Sequence, residues 1–131
     1  MEFRTLAHTD LRVSRACFGT MTFGNQVDEA GASRIFHACV DAGINFFDTA
    51  NVYNAGASEA ITGKLVAPRR SEIVLASKVR GKMGDAPDEQ GLGREAILKA
   101  IDASLSRLGT DYLDIYYLHQ PDNAGPFDET L

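Results

Sequence analysis

The chain has 131 residues, a length that bounds it to about one domain. Apolar residues make up 44% and charged residues 24%, enough apolar material for a real core, while the net charge of −5 excludes the clustered basic surface that nucleic acid requires. No basic run exceeds Arg69-Arg70, no apolar stretch reaches the roughly 18 residues of a membrane span, and the opening MEFRTLAHTD has no signal-peptide core. The expected partners therefore include neither nucleic acid nor membrane, and the expected compartment is a reducing cytoplasm. Residues 2–6 and 11–14 read as short strands around the turn His8-Thr9-Asp10, an N-terminal hairpin. Ala16-Cys17-Phe18-Gly19 is the next strand.

Asp28 is a candidate helix N-cap. Behind it Ala32, Ile35, Phe36, Cys39 and Val40 recur at helical spacing, and Gly43 stands at the C′ position. Ile44 to Phe47 is a second strand. Ser58-Glu59 opens a shorter helix with Ile61 and Leu65, stopped by Pro68. Glu72 to Ser77 is a third strand. A polar, glycine-rich loop runs from Gly81 to Gly93. Ala96, Ile97, Ala100, Ile101, Leu105 and Leu108 share one face of the next helix, where Arg107 suits the negative end of the dipole and Gly109 the C′ position. Tyr112 to Leu118 is a fourth strand, and Pro126-Phe127-Asp128-Glu129 reads as the start of another helix. Cys17 and Cys39 have no disulfide or metal-ligand spacing and read as small buried hydrophobes.

The order is a hairpin followed by (βα)₃β. Strands alternating with helices argue a parallel sheet of βαβ units, and strands apolar at nearly every position argue cover on both faces. The expected fold class is α/β, about half of a (β/α)₈ barrel with the hairpin as a floor plug. A whole barrel needs about 250 residues, so residues 1–131 are expected to form a single incomplete barrel domain with open edges at its first and last strands. A fragment, a truncated product and a half-barrel that pairs with something all fit that length.

In a parallel barrel the carboxyl ends of the strands share one rim, where such barrels do chemistry. Asp48, Lys78 and His119 each end a hydrophobic run, and Tyr53 follows Asp48 by five residues. Taken singly, Asp48 reads as a loop carboxylate, Tyr53 as a half-buried aromatic and His119 as a satisfied histidine near a turn. Lys78 is less ordinary, because lysine is rarely interior unless paired. Together they make a proton-transfer site. A free phenol has a pKa near 10, and an adjacent cation favours its phenolate. Lys78 is the candidate cation, Asp48 its partner, Tyr53 the proton donor and His119 the group that places a carbonyl. No side chain here donates hydride, so a nicotinamide must supply it. Gly91-x-Gly93 lacks both the preceding strand and the third glycine of a dinucleotide loop.

The chain resembles the N-terminal half of an aldo-keto reductase. The matching pieces are Gly19-Thr20-Met21-Thr22-Phe23-Gly24, Asn45-Phe46-Phe47-Asp48-Thr49-Ala50 with Tyr53, Ser58-Glu59, Ser77-Lys78, Ser104 through Asp114, and Tyr117-Leu118-His119. They run in the family's order through essentially the whole chain. The resemblance implies a catalytic tetrad of Tyr53, Lys78, Asp48 and His119. It also implies that Gly19, Thr20 and Met21 line the nicotinamide end of NADP(H), with Asp48 near the ribose. Met21 with the following Thr-Phe-Gly resembles the bacterial and channel-subunit-like branches. Asn54-Ala55 departs from the pattern, since glycine commonly follows the tyrosine. The loops with which the family grips the adenosine phosphate and shapes the substrate pocket have no counterpart within the 131 residues.

Three functions follow as expectations: an NADP(H)-dependent oxidoreductase reducing aldehydes or ketones, a channel-subunit-like binding or assembly module with little turnover, and an inactive remnant. The expected partners are a small carbonyl substrate and either a second copy of the chain or a missing C-terminal half.

Overall fold

Two short strands, β1 (Phe3–Thr5) and β2 (Arg12–Ser14), pair antiparallel in a computed structural model that describes residues 1–122 and 130. The helix start expected at Pro126-Phe127-Asp128-Glu129 lies outside the described residues. His8 takes the left-handed conformation that closes the hairpin (φ 62°), and Thr9 Oγ1 donates to the Leu6 carbonyl at 3.0 Å. The hairpin lies against the amino-terminal end of the next sheet, as a floor plug must. Asn45 makes the joint: its Oδ1 accepts from Ser14 N at 2.7 Å and its Nδ2 donates to Arg12 O at 2.9 Å.

The main sheet is parallel, in the order β3 (Cys17–Gly19), β4 (Phe46–Asp48), β5 (Val74–Val79), β6 (Ile115–Leu118). Between the strands run α1 (Glu29–Asp41), α2 (Ala57–Val66) and α3 (Arg94–Leu108). This is the hairpin plus (βα)₃β that the hydrophobic pattern predicts. Asp28 caps α1 by accepting from Gly31 N at 2.7 Å, an interaction worth about 1 kcal/mol. At its other end Gly43 N reaches Val40 O and Ile44 N reaches Cys39 O, the paired bonds of a left-handed glycine stop (φ 84°).

Phe36 of α1, Phe47 of β4, Val66 of α2, Leu75 of β5 and Leu108 of α3 form one buried cluster with Ile73. It fills the space between the helices and one face of the sheet. Each such side chain contributes roughly 1.5–3 kcal/mol by leaving water. At the α2–α3 contact a Cβ on Gly63 would lie 2.2 Å from the Leu108 carbonyl oxygen, so the two backbones meet with nothing between them.

Several expectations shift by a few residues for identifiable reasons. The second strand begins at Phe46 because Ile44 is engaged in the glycine stop and Asn45 in the hairpin joint. The third begins at Val74 because Ala67–Glu72 winds as a 3-10 turn with Pro68 near its start. The fourth begins at Ile115, because Asp114 accepts from Leu75 N and Arg70, whose guanidinium stacks on the Tyr112 ring at 3.8 Å. Ser58 lies inside α2, which starts at Ala57 and is preceded by Gly56.

The cysteine reading is corrected. Cys17 is exposed and Cys39 half-buried. Strand alternation turns Phe18 toward the helices and Cys17 toward the opposite face of β3. Partial burial of the sulfur, with Asp48 nearby, pushes the Cys17 thiol up to about 11, so it stays protonated at neutral pH. Among the described residues no helix is long and apolar enough to cross a membrane.

Candidate active site

Lys78 sits in β5 with only 13% of its side chain exposed, beside Asp48 at the end of β4. An ammonium has three N–H donors, and here each has an acceptor: Asp48 Oδ2 at 2.5 Å, Thr49 O at 2.7 Å and Tyr53 Oη at 3.0 Å. The lysine that is costly to bury alone is thus fully partnered. Because Tyr53 accepts from Lys78, its own O–H remains available to a third group.

Tyr53 begins the 3-10 segment Tyr53–Gly56. Its ring meets His119 edge to face, with centroids 5.7 Å apart and planes at 80°. His119 follows β6 directly and donates its backbone N–H to Val79 O at 2.9 Å, which continues the β5–β6 ladder by one residue. Partial burial, then the Lys78 ammonium, hold the His119 imidazole below its usual range, partly opposed by Asp48. A neutral imidazole carries one N–H with which to bind a carbonyl oxygen. The four side chains expected at the rim therefore form one chain of contacts, Asp48 to Lys78, Lys78 to Tyr53 and Tyr53 to His119.

The β3–α1 turn comes to the same rim. A Cβ built on Gly19 meets nothing within 4 Å, and Met21 is 60% exposed. Thr20 behaves differently. It is fully buried, and its hydroxyl lies 2.8 Å from Ser58 Oγ and 3.2 Å from the Asp48 carbonyl. Thr49 Oγ1 joins the same cluster, 3.1 Å from Ser58 Oγ. Three buried hydroxyls thus lock the β3 turn, the end of β4 and the start of α2 together. Gly19 and Met21 are exposed at the rim, whereas Thr20 is engaged internally through its backbone as well, its N–H donating to Asp48 O at 2.9 Å and its carbonyl accepting from Phe23 N and Ser58 Oγ.

A buried ion pair lies behind the rim, on the helix side of the sheet. Glu59 is fully buried; its Oε1 accepts from Ser77 Oγ at 2.6 Å and its Oε2 from Arg107 Nε at 2.7 Å. Sequence reasoning assigned Glu59 to helix opening and Arg107 to the helix dipole. Their pairing across 48 residues left no local signal. The hydroxyl cluster and the role of Asn54, whose side chain bonds to the turn after β3, were equally invisible. A separate cavity between the 81–91 loop and α3, bounded by Asn51, Val79, Met83 and Lys99, contains none of the four rim residues. No group of three metal-ligating side chains occurs among the described residues.

Comparison with known proteins bears on the family and the fold. Residues 15–131 match the model of the aldo/keto reductase family. The chain is 41% identical over 135 residues to a probable voltage-gated potassium channel subunit beta of Oryza sativa subsp. japonica, covering 100% of this chain and 41% of that protein. It is 44% identical over 140 residues to an uncharacterized oxidoreductase of Bacillus subtilis, covering 98% of this chain and 43% of the relative. Among solved structures it is similar to an aldo-keto reductase from Bacillus halodurans in its holo form, with a TM-score of 0.88 and 39% identity over 99% of this chain and 44% of that one. The chain therefore spans less than half the length of these relatives, and its sheet and helices are part of a (β/α)₈ barrel.

Proposed function

The chain belongs to the aldo/keto reductase family, and on that premise we propose that it carries the proton-donating side of an NADP(H)-dependent reduction of aldehydes or ketones. The observation that carries this reading is the Lys78 hub, which joins Asp48, Thr49 and the Tyr53 phenol at one rim. A bound nicotinamide would supply hydride to a carbonyl carbon, and the rest is work for these side chains. As charge gathers on the carbonyl oxygen, the free Tyr53 O–H donates its proton there. The phenolate left behind is held by the Lys78 N–H already directed at it. Asp48 keeps that ammonium charged and oriented. The neutral His119 imidazole places the carbonyl oxygen by donating a hydrogen bond.

The residues fit such a cofactor at its nicotinamide end. Gly19 leaves open space beside Asp48, and Met21 offers an exposed apolar surface. Asp48 already engages Lys78 through Oδ2. Its place near a ribose rests on the family resemblance.

A second reading has one support, the 41–42% identity to plant proteins named as probable potassium channel beta subunits. On that reading the chain is a binding or assembly module with little turnover.

The test is to titrate the 131-residue chain into NADPH, follow cofactor fluorescence, and then assay a generic aldehyde. Saturable binding with turnover is expected. Tyr53→Phe should lower turnover at least about 100-fold, the usual worth of a positioned acid, while circular dichroism stays unchanged. Undiminished turnover in Tyr53→Phe would remove Tyr53 from the role of acid. A folded chain with no NADPH binding would show that these 131 residues alone do not make the cofactor site.

A further inference from the structure

The backbone that presents Tyr53 is in an uncommon state. Asn54 (φ 51°), Ala55 (φ 53°) and Gly56 (φ 91°) are three consecutive left-handed residues. Left-handed conformation costs an L-residue roughly 1–2 kcal/mol and occurs singly as a rule. Such a turn persists only where its surroundings over-determine it. Asparagine is among the few residues besides glycine that tolerate it, and at position 54 the side chain is also engaged.

That side chain reaches across to the turn after β3. Asn54 Nδ2 donates to Met21 O at 2.9 Å and to Phe23 O at 2.7 Å, which engages both hydrogens of the amide. The two segments also touch directly, since a Cβ on Gly24 would lie 2.9 Å from the Ala57 Cβ. At the far end of the turn a Cβ on Gly56 would lie 2.6 Å from Arg107 Cδ, so the arginine stem fills that place. The left-handed turn is gripped at both ends, and the grip nearest Tyr53 is Asn54.

We propose that Asn54 is a positioning residue whose amide ties the Tyr53 turn to residues 21–23. The proton donor and the turn that carries Gly19 and Met21 then hold a fixed separation, which a reaction joining proton and hydride delivery at one carbonyl requires. This inference rests on the reading of Tyr53 as the acid.

The experiment replaces the four tyrosines with 3-fluorotyrosine in the 131-residue chain and follows ¹⁹F NMR, with Tyr53→Phe identifying the Tyr53 line. That line senses the His119 ring at its edge. Asn54→Gly removes the amide and also relieves the left-handed strain, so the lost hydrogen bonds are offset in part and the variant is expected to fold. Asn54→Asp keeps size and left-handed tolerance but cannot donate to two carbonyls. The parent should give one sharp Tyr53 line. Both variants should broaden or split it, with their circular dichroism unchanged. One unchanged sharp line in both variants would overturn the proposal. A parent with one sharp line that neither binds NADPH nor turns over an aldehyde would count against the proposed function while leaving the role of Asn54 intact.

Discussion

A buried lysine is stable only if each of its donors finds an acceptor, and Lys78 meets that condition with a carboxylate, a carbonyl and a phenol. The consequence for Tyr53 is directional, because its oxygen receives from behind and its hydrogen points onward. His119 completes the arrangement with a pH signature. Its folded-state pKa is lowered, chiefly by partial burial, so the fold favours the neutral ring. Stability from this source is fully present above the ordinary imidazole range and is lost as pH falls through the folded value. Denaturant midpoints of the parent chain should therefore fall between about pH 7 and pH 5. His119→Gln should fall less over the same interval, and an identical slope in the two proteins would remove His119 as the cause.

At the scale of elements, α2 and α3 are joined by charge and by close approach. Glu59 is fully buried, and Arg107 is its cationic partner. Arg107→Met should strand that carboxylate and lower stability by about 3 kcal/mol in urea unfolding. Adding Glu59→Gln should recover part of the loss, because the buried charge then disappears. A double variant as unstable as the sum of the two singles would mean that the groups do not couple. Burial, together with the Glu59 charge, also holds the neighbouring Tyr116 phenol well above its usual range. Gly63→Ala probes the other joint. Its methyl would lie 2.2 Å from the Leu108 carbonyl oxygen, so the helices must separate at a cost of about 2–3 kcal/mol.

At the scale of the whole molecule, each outer strand of the parallel sheet is paired on one side among the described residues: β3 with β4, and β6 with β5. The face away from the helices carries Cys17, Phe46, Ile115 and Tyr117, exposed or half-buried, around the buried Val74 and Ala76, and Tyr117 and Leu118 of β6 are 40% and 45% exposed. Parallel strands normally have both faces covered. The 131-residue chain by itself should therefore associate as concentration rises, seen as an increasing scattering mass. Lysine at positions 117 and 118 should shift it toward monomer, since charge on an edge strand blocks pairing. A monodisperse parent monomer at high concentration would argue against this.

The alternation of apolar runs with helical periodicities determined the element order, because each strand and helix must hide its own apolar residues. The same pattern placed Asp48, Lys78 and His119, since residues at the carboxyl end of a parallel strand lie at the rim wherever its neighbours are. Asp28 and Gly43 were legible for the local reason that caps bond within a few residues of themselves. Tertiary structure alone decided what depends on contacts across tens of residues. Asn45 joined the hairpin to the sheet, Ser58 met Thr20 and Thr49, Glu59 found Arg107, and Asn54 reached the carbonyls of Met21 and Phe23. It also decided that Cys17 lies open, because exposure depends on what covers a face and a strand's own sequence does not encode its cover. Hydrophobic pattern acts through each residue's own contact with water and is written locally. A polar side chain is settled by its partner, and the partner's position exists only once the chain has folded.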